Sequence, residues 1–349
     1  MLIYFFLFFI LLTFVVVENT NTKIPPVFKV LIVTLLILIS GLRYEIGSDY
    51  HNYVYLFDHL DNYPLLEYGF KYLVLSIAWV GGSAQHLFLL SSILIVLLLS
   101  YTIDKFCGRF FFTALTVYVF SFVYFESMNT VRQAIAMSIM CYAVCSYIFN
   151  RKILVFFLLV MLSLLFHNSA IIVGLLSYLI IKFSDKNKNY TIYFFLLLFS
   201  FILGHSINLL FSFLSEASSL LGYAQYMDNF EQRGVDTGLY QYLLNGYALL
   251  FILYARKNNL RLTEFGSYML RLFFVSIILY NTFIEFYIGL RFYWYFFIYL
   301  MFVVPEFLKH YRMNQRTIIF TILMSPILVF TIISLNSIKY SPYNYTLIF

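Results

Sequence analysis

Long apolar stretches alternate with short polar ones along the whole chain. A helix needs about 20 predominantly apolar residues to cross the hydrocarbon core of a bilayer. The pattern predicts an all-α polytopic membrane protein with about twelve spans, some of them short. The apolar runs cover residues 2–17, 27–42, 85–103, 109–125, 131–149, 152–166, 168–182, 190–210, 240–255, 267–284, 290–304 and 317–335.

Segment 65–82 (LLEYGFKYLVLSIAWVGG) is ambiguous, since it is long enough to span but is also amphipathic. If it spans, the alternation of basic and acidic connections breaks at residue 104. If it lies at the interface, the alternation holds, and 16 of the 22 basic residues fall on one side. Cytoplasmic connections are enriched in Lys and Arg. We therefore predict an interfacial helix, both termini outside, and two long outer segments, 43–84 and 211–239.

Composition narrows the class of protein. Hydrophobic residues make up 62% of the 349 positions and charged residues 11%, which excludes a soluble or disordered chain. The net charge of +6 is spread along the chain, so it indicates membrane orientation and no nucleic-acid partner. The apolar N-terminus lacks basic residues and a small-residue cleavage site, which favours a retained span. The length allows a single transmembrane domain over residues 1–349.

A first polar cluster follows the second predicted span, over residues 41–63. Arg43 stands where this helix leaves the membrane, at the depth of a lipid phosphate, although an anchoring Arg in an aromatic belt would look the same. Asp49, Tyr50 and Tyr53 would share one helix face. A carboxylate beside aromatic rings is typical of carbohydrate sites but also of ordinary loops.

A second cluster occupies residues 125–137 at the outer ends of two spans. Glu126, Asn129 and Gln133 recur at helical spacing, with Arg132 beside them. An arginine that enters a span is costly unless it is paired or lines a wet cavity. The pattern indicates a functional Arg132, and a structural pair with Glu126 is the alternative.

Three further groups lie on the predicted outer side. His167 and Ser169, in FHNSAII, can contact a phosphate or accept a proton, or can simply form a helix-capping turn. Arg291 and Tyr295 share a helix face near Glu285, although this arginine can also reach the interface as an anchor. Arg233 belongs to the second long outer segment, where charged residues are usually solvated.

These cations suit an anionic headgroup, because Arg binds phosphate through a planar fork of donors. The chain contains no Walker A, HEXXH, GxSxG or DxD sequence, and its three cysteines have no metal-ligand spacing. We expect neither a metal nor a cofactor.

Four segments together resemble one known family. GLRYEIGSDYHNYVYLF is similar to the RYGxGTDYxxY segment of the EpsG family of Wzy-like bacterial polysaccharide polymerases. NTVRQAIAM resembles its N-x-x-RQ-x-IA motif and FHNSAII its FHxSAxI motif, while LRFYWYF resembles a less specific Arg-aromatic span. The chain departs from the family in Ser48, where Thr is common, and in EYGF, where EPGF is frequent.

The resemblance implies a GT-C-like membrane glycosyltransferase. Such enzymes join repeat units carried on undecaprenyl pyrophosphate, at the outer face of the bacterial cytoplasmic membrane. Expected partners are these lipid-linked glycans, membrane lipids and a chain-length regulator. The residues carried over are Arg43, Tyr44, Asp49, Tyr50, Asn129, Arg132, Gln133, His167, Ser169 and, less securely, Arg291.

The expected chemistry divides these residues into two groups. The arginines would stabilise the leaving pyrophosphate, with Arg132 in the catalytic centre. Asp49, His167 or Glu285 would accept the proton of the acceptor hydroxyl, and the sequence does not rank them. A flippase for lipid-linked oligosaccharides and a polysaccharide-modifying acyltransferase are the alternatives. The first would need charges through the full membrane depth, and the second a His-Asp site reached from the cytoplasm.

Overall fold

Most of the residues that the structure describes lie in α-helices. A computed structural model describes residues 2–20, 22–183, 190–204, 238–257, 262–284, 287–336 and 346–347. The chain forms two compact units, which are Met1–Ile181 with Leu300–Phe349 and Lys182–Tyr299. The prediction of an all-helical chain is confirmed, and a single domain over 1–349 stays a prediction.

The helices of the first unit range from 7 to 24 residues in length. They are α1 (Leu2–Asn19), α2 (Pro26–Gly41), α3 (Tyr50–Asp58), α4 (Tyr68–Trp79), α5 (Ala84–Cys107), α6 (Phe111–Phe120), α7 (Val123–Asn129), α8 (Val131–Asn150), α9 (Ile153–Leu164) and α10 (Ala170–Phe183). The second unit contains α11 (Thr191–Gly204), α12 (Gly238–Lys257), α13 (Glu264–Thr282) and α14 (Tyr287–Phe297). The first unit then resumes with α15 (Leu300–Leu308) and α16 (Met313–Asn336).

Two short strands accompany these helices in the first unit. Strand β1 (Arg43–Tyr44) follows α2 and pairs antiparallel with β2 (Thr346–Leu347). In this register Arg43 lies opposite Leu347 and Tyr44 opposite Thr346. The pairing brings the end of the chain to the segment that carries the first polar cluster.

Five helical segments among the described residues are long and apolar enough to cross a membrane. They are Ala84–Phe120, Val131–Asn150, Glu264–Thr282, Gly289–Leu308 and Met313–Leu335. Six shorter apolar helices accompany them. Each of the twelve predicted apolar runs overlaps a described helix. The segment Ala84–Phe120 accounts for two of these runs, which are separated at Gly108. Membrane residence is therefore supported, while the count of twelve spans stays a prediction.

Helix α6 forms the centre of the first unit. All ten of its residues are buried, and it packs against α1, α5, α15 and α16. Helix α8 is also largely buried and packs between α5 and α9. The turn between α5 and α6 depends on Gly108, whose φ of +56° is a conformation that L side chains rarely adopt.

Several contacts of the first unit join residues that the charge pattern places on the cytoplasmic side. The Lys29 ammonium donates to Asp104. Glu18 accepts hydrogen bonds from the main-chain N–H groups of Phe112 and Thr113, at 2.8 and 2.9 Å. The carboxylate thereby occupies the N-terminus of α6, where the helix dipole favours negative charge.

The segment between α2 and α5 contains no helix long enough to span. Helix α4 has 12 residues and is therefore about 18 Å long, against a hydrocarbon core of about 30 Å. It buries Phe70, Val74 and Ile77 and exposes Tyr68 and Tyr72. This amphipathic pattern agrees with the predicted interfacial helix.

The second polar cluster does not form the single helix face that its spacing predicts. Phe122 has a left-handed φ of +68°, and α7 begins only after it. Thr130, with ψ of +53°, separates α7 from α8. The prediction of one continuous face for Glu126, Asn129 and Gln133 was wrong, because periodicity does not reveal a break at one residue.

Candidate functional site

Arg43 is a buried structural centre of the segment that follows α2. The residue is 2% exposed and lies over the Phe88 ring, with Cζ 4.3 Å from the centroid. Nη1 donates to the Ser40 carbonyl at 2.7 Å, and Nη2 donates to the Met128 carbonyl at 2.9 Å. The guanidinium thus links the end of α2 to α7 through hydrogen bonds to main-chain carbonyls in the protein interior.

The turn after Arg43 packs directly on the second polar cluster. Gly47 has a φ of +97°, and a Cβ atom placed on it would lie 2.6 Å from Asn129 Oδ1. Asn129 and Gln133 are both buried. Glycine at position 47 therefore serves two needs, a backbone conformation that other residues avoid and a close approach to Asn129.

Tyr50 and Tyr53, which the sequence placed on one helix face, are both buried. Tyr50 is buried and stacks on Phe88 with ring centroids 4.9 Å apart, while Tyr53 is buried against Phe70 and Phe88. Burial raises the pKa of the Tyr53 phenol above its ordinary value. Sugar stacking on Tyr50 or Tyr53 is therefore unfavourable, because protein aromatics already cover the rings.

Tyr44 and Asp49 are the more accessible of the predicted site residues in the first cluster. Tyr44 is exposed and meets the edge of the Tyr50 ring. Asp49 is half-buried at the position that precedes α3, where Asn52 Nδ2 donates to its Oδ1 at 3.4 Å. Asp49 keeps access to solvent and remains a candidate proton acceptor.

Arg132 forms the principal ion pair of this region. Its Nη1 lies 2.6 Å from Glu67 Oε2, and the Arg132 side chain is 30% exposed whereas that of Glu67 is 7% exposed. The Arg132 main-chain N–H donates to Tyr53 Oη at 3.4 Å. The predicted structural alternative, an Arg132–Glu126 pair, is replaced by a partner 65 residues away in sequence.

The EYGF segment connects this ion pair to the third cluster. Glu67 Oε1 accepts a hydrogen bond from the Asn168 main-chain N–H at 3.4 Å. The Gly69 N–H donates to the Leu165 carbonyl at 2.8 Å, and a Cβ atom on Gly69 would lie 2.7 Å from that oxygen. The start of α4 therefore docks on the α9–α10 turn through main chain and side chain together.

His167 is buried within that turn. Its Nδ1 lies 2.6 Å from Ser169 Oγ, a hydrogen bond that holds the imidazole plane. Ser163, just before the turn, donates to the Ala136 carbonyl at 2.8 Å and ties α9 to α8. The turn is thus attached both to α8 and to Glu67, which places His167 on a fixed support.

A continuous chain of contacts joins the first three sequence clusters. It runs from Arg43 to Met128, from Tyr53 to Arg132, and from Glu67 to the His167 turn. Asp49, Arg132 and His167 all belong to this assembly, which can bind an anion on the half-exposed Arg132 and supply a proton acceptor. The sequence showed EYGF only as a departure from the family's EPGF and assigned no role to Glu67 or Gly69.

The remaining predicted residues belong to the second unit or to undescribed segments. Arg291 lies half-buried on α14, and Tyr295 is buried on the same helix. Glu285 and Arg233 fall outside the described residues. The predicted roles of all four stay predictions.

The second unit also holds a buried amide cluster that no sequence motif indicated. Asn281 and Asn245 exchange side-chain hydrogen bonds at 2.8 and 2.9 Å, and Gln241 donates to Asn281 Oδ1 at 3.2 Å. Asn281 Nδ2 also donates to Ser200 Oγ at 3.2 Å. Such bonds link helices in an apolar environment, so we assign this cluster to the packing of α11, α12 and α13.

Comparison with known proteins supports the resemblance noted from the motifs. The model of the EpsG family matches residues 26–347, which includes all four segments that resemble the family motifs. No curated protein and no solved structure matches the chain.

Proposed function

The chain belongs to the EpsG family of Wzy-like polysaccharide polymerases, and from this premise we propose that it joins lipid-linked oligosaccharide repeat units. The donor would be a growing glycan on undecaprenyl pyrophosphate, and the acceptor a new unit on the same type of carrier. The reaction would take place at the outer face of the bacterial cytoplasmic membrane, without a metal ion.

One observation carries the proposal. Three of the segments that resemble the family motifs, far apart in sequence, meet around the ion pair of Arg132 and Glu67: GLRYEIGSDYHNYVYLF, NTVRQAIAM and FHNSAII. A site that releases a lipid pyrophosphate must stabilise developing negative charge. A partly exposed arginine on a rigid support supplies a preorganised cation for that purpose.

The contacts of the first unit support the proposed orientation. Lys29 meets Asp104, and Arg316 Cζ lies 5.5 Å from the Phe110 ring centroid, so the segments assigned to the cytoplasm lie together. Strand β1 pairs with β2, so the C-terminal segment lies beside the proposed outer site. Twelve spans, both termini outside and a GT-C-like arrangement are further parts of the proposal.

In the proposed reaction the bond between the donor's anomeric carbon and a pyrophosphate oxygen breaks. A bond from the acceptor hydroxyl oxygen to the anomeric carbon forms, and the hydroxyl proton passes to a protein base. Arg132 would bind the departing pyrophosphate. Asp49 and His167 are the described candidates for the base, because Asp49 is accessible and the His167 ring is oriented by Ser169.

The other predicted residues take supporting roles in this proposal. Arg43 holds the first segment from within, and Asn129 lies against Gly47. Gln133 stays a candidate for contact with the substrate. Arg233, Glu285, Arg291 and Tyr295 stay candidates for contact with the substrate. Membrane lipids and a chain-length regulator are the further proposed partners.

Deletion of the protein tests the function. The surface polysaccharide of the deletion strain is separated on a gel and compared with that of a complemented strain. A polymerase loss leaves single repeat units on the surface, whereas a flippase loss leaves no surface glycan. Long chains of normal composition in the deletion strain would refute the proposal, and long chains lacking an acyl group would indicate the acyltransferase.

Arg132→Ala tests the site in the same strain. We expect loss of long chains at an unchanged protein level, because the variant removes the cation for the leaving group. Lys71→Ala is the matched control, since Lys71 is an outer-side cation on α4 whose ammonium forms no ion pair with a described carboxylate. If the Arg132→Ala strain made normal polymer, Arg132 would have a purely structural role.

A further inference from the structure

We propose that Glu67 is the positioning residue of the site and that it acts by holding Arg132 and the His167 turn in one arrangement. The inference rests on the proposed function, because it assigns Glu67 a part in glycosyl transfer. It concerns a residue of the EYGF segment to which the sequence assigned no role.

The two carboxylate oxygens of Glu67 point to different parts of the site. Oε2 lies 2.6 Å from Arg132 Nη1, and Oε1 accepts the longer hydrogen bond from the Asn168 N–H at 3.4 Å. The carboxylate therefore joins α8 to the α9–α10 turn. Because its side chain is only 7% exposed, the charge depends on these partners in place of water.

The position of Arg132 in its helix explains why it needs a carboxylate. Arg132 is the second residue of α8, and the helix dipole disfavours a cation at an N-terminus. Glu67 places a negative charge beside that terminus and offsets this repulsion. The ion pair also restricts an arginine side chain that would otherwise have many rotamers.

Glu67 is itself held by the main chain. Two residues later, the Gly69 N–H donates to the Leu165 carbonyl at 2.8 Å, and Leu165 belongs to the turn that carries His167. The carboxylate and the main chain of EYGF thus attach to the same turn from adjacent points. A group held by two such attachments orients its partner more closely than a side chain on a free loop.

The geometry favours positioning over direct proton transfer. A general base must reach the reacting hydroxyl, directly or through one water. Both oxygens of Glu67 already contact protein donors, and the side chain is almost fully covered. Arg132 has the larger exposed fraction, so the substrate anion would meet the guanidinium on the side away from Glu67.

Kinetics in lipid nanodiscs test this role. The full chain is supplied with lipid-linked repeat units, and initial rates are measured for Glu67→Gln, Glu67→Asp and the control Asp58→Asn. We expect Glu67→Gln to lower kcat about 10- to 100-fold, as misplacement of a catalytic group by about 1 Å does elsewhere. Glu67→Asp should recover part of the rate, and Asp58→Asn, exposed on α3, should match the unchanged protein.

Two further readouts separate positioning from other roles. The shape of the pH–rate profile should not change in Glu67→Gln, whereas loss of its acidic limb would identify Glu67 as the base and overturn the inference. In an Arg132→Ala background, Glu67→Gln should cause no further loss, because it acts through Arg132. Fully additive losses, or a wild-type rate for Glu67→Gln, would also overturn it.

A test that does not depend on activity separates this inference from the proposed function. Thermal unfolding is measured for the unchanged protein, for Glu67→Gln, for Arg132→Ala and for the double variant. If the unchanged protein forms no polymer, the proposed function fails. A double-mutant cycle on the melting temperatures then still decides whether Glu67 and Arg132 are coupled. Independent effects of the two substitutions in that cycle would refute the holding contact itself.

Discussion

Substitution of Gly69 by alanine adds one methyl group at the point where α4 docks on the α9–α10 turn. The new Cβ would lie 2.7 Å from the Leu165 carbonyl oxygen and 2.9 Å from Leu165 Cβ. Non-bonded carbon atoms prefer separations of about 3.5–4.0 Å. The start of α4 and the turn must therefore separate by about 0.6 Å or more.

This separation sets the expected magnitudes. Overpacking of this kind typically costs about 1–3 kcal/mol in the free energy of unfolding. The same movement draws Glu67 away from Asn168 and shifts the support of Arg132. Since a displacement of about 1 Å can lower a rate about 100-fold, we expect about a tenfold lower rate of polymer formation.

The assay measures the initial rate of chain extension and the melting temperature in nanodiscs. Gly246→Ala is the matched control, because Gly246 lies within helix α12 and a Cβ there would meet nothing within 4 Å. We expect that control to keep its rate and to gain up to about 1 kcal/mol from helix propensity. Equal rates for Gly69→Ala and the unchanged protein would refute the docking role of EYGF.

Three further substitutions test other parts of the fold. Gly47→Ala should lower the free energy of unfolding by about 1–3 kcal/mol, because alanine must adopt a positive φ beside Asn129; an unchanged melting temperature would contradict this. Asn281→Ala should cost about 1–3 kcal/mol in thermal unfolding, since it removes a hydrogen-bond partner from buried amides, and a neutral result would remove the cluster from our account of packing. Asp104→Asn should cost about 1 kcal/mol or less, because its pair with Lys29 is exposed, and the difference should vanish in high salt; a larger, salt-independent loss would contradict a surface pair.

The sequence located the helices and the site segments well. Apolar run length depends on local composition, so α8 and α13 lie where the pattern predicted them. The short α4 agrees with the interfacial helix that the alternation of basic and acidic connections predicted for residues 65–82. The motif residues Arg43, Arg132 and His167 do fall in one assembly of the first unit.

The directions in which side chains point were harder to predict. Helical spacing placed Tyr50 and Tyr53 on one face but did not indicate that both pack inward on Phe88. Arg43 was expected to meet a lipid phosphate at the membrane surface, and the structure turns it toward main-chain carbonyls instead. Each outcome depends on a neighbouring helix whose position no local pattern encodes.

The sequence by itself determined that this is a helical membrane protein, which family it resembles and how its positive charge is distributed along the chain. These properties follow from the length of apolar runs, from short motifs and from the distribution of Lys and Arg, all of which are local. Only the tertiary structure decided that Glu67 is the partner of Arg132 and that Gly69 meets Leu165. Those pairs join segments 65 or more residues apart, so they exist only because packed helices bring them within hydrogen-bond distance.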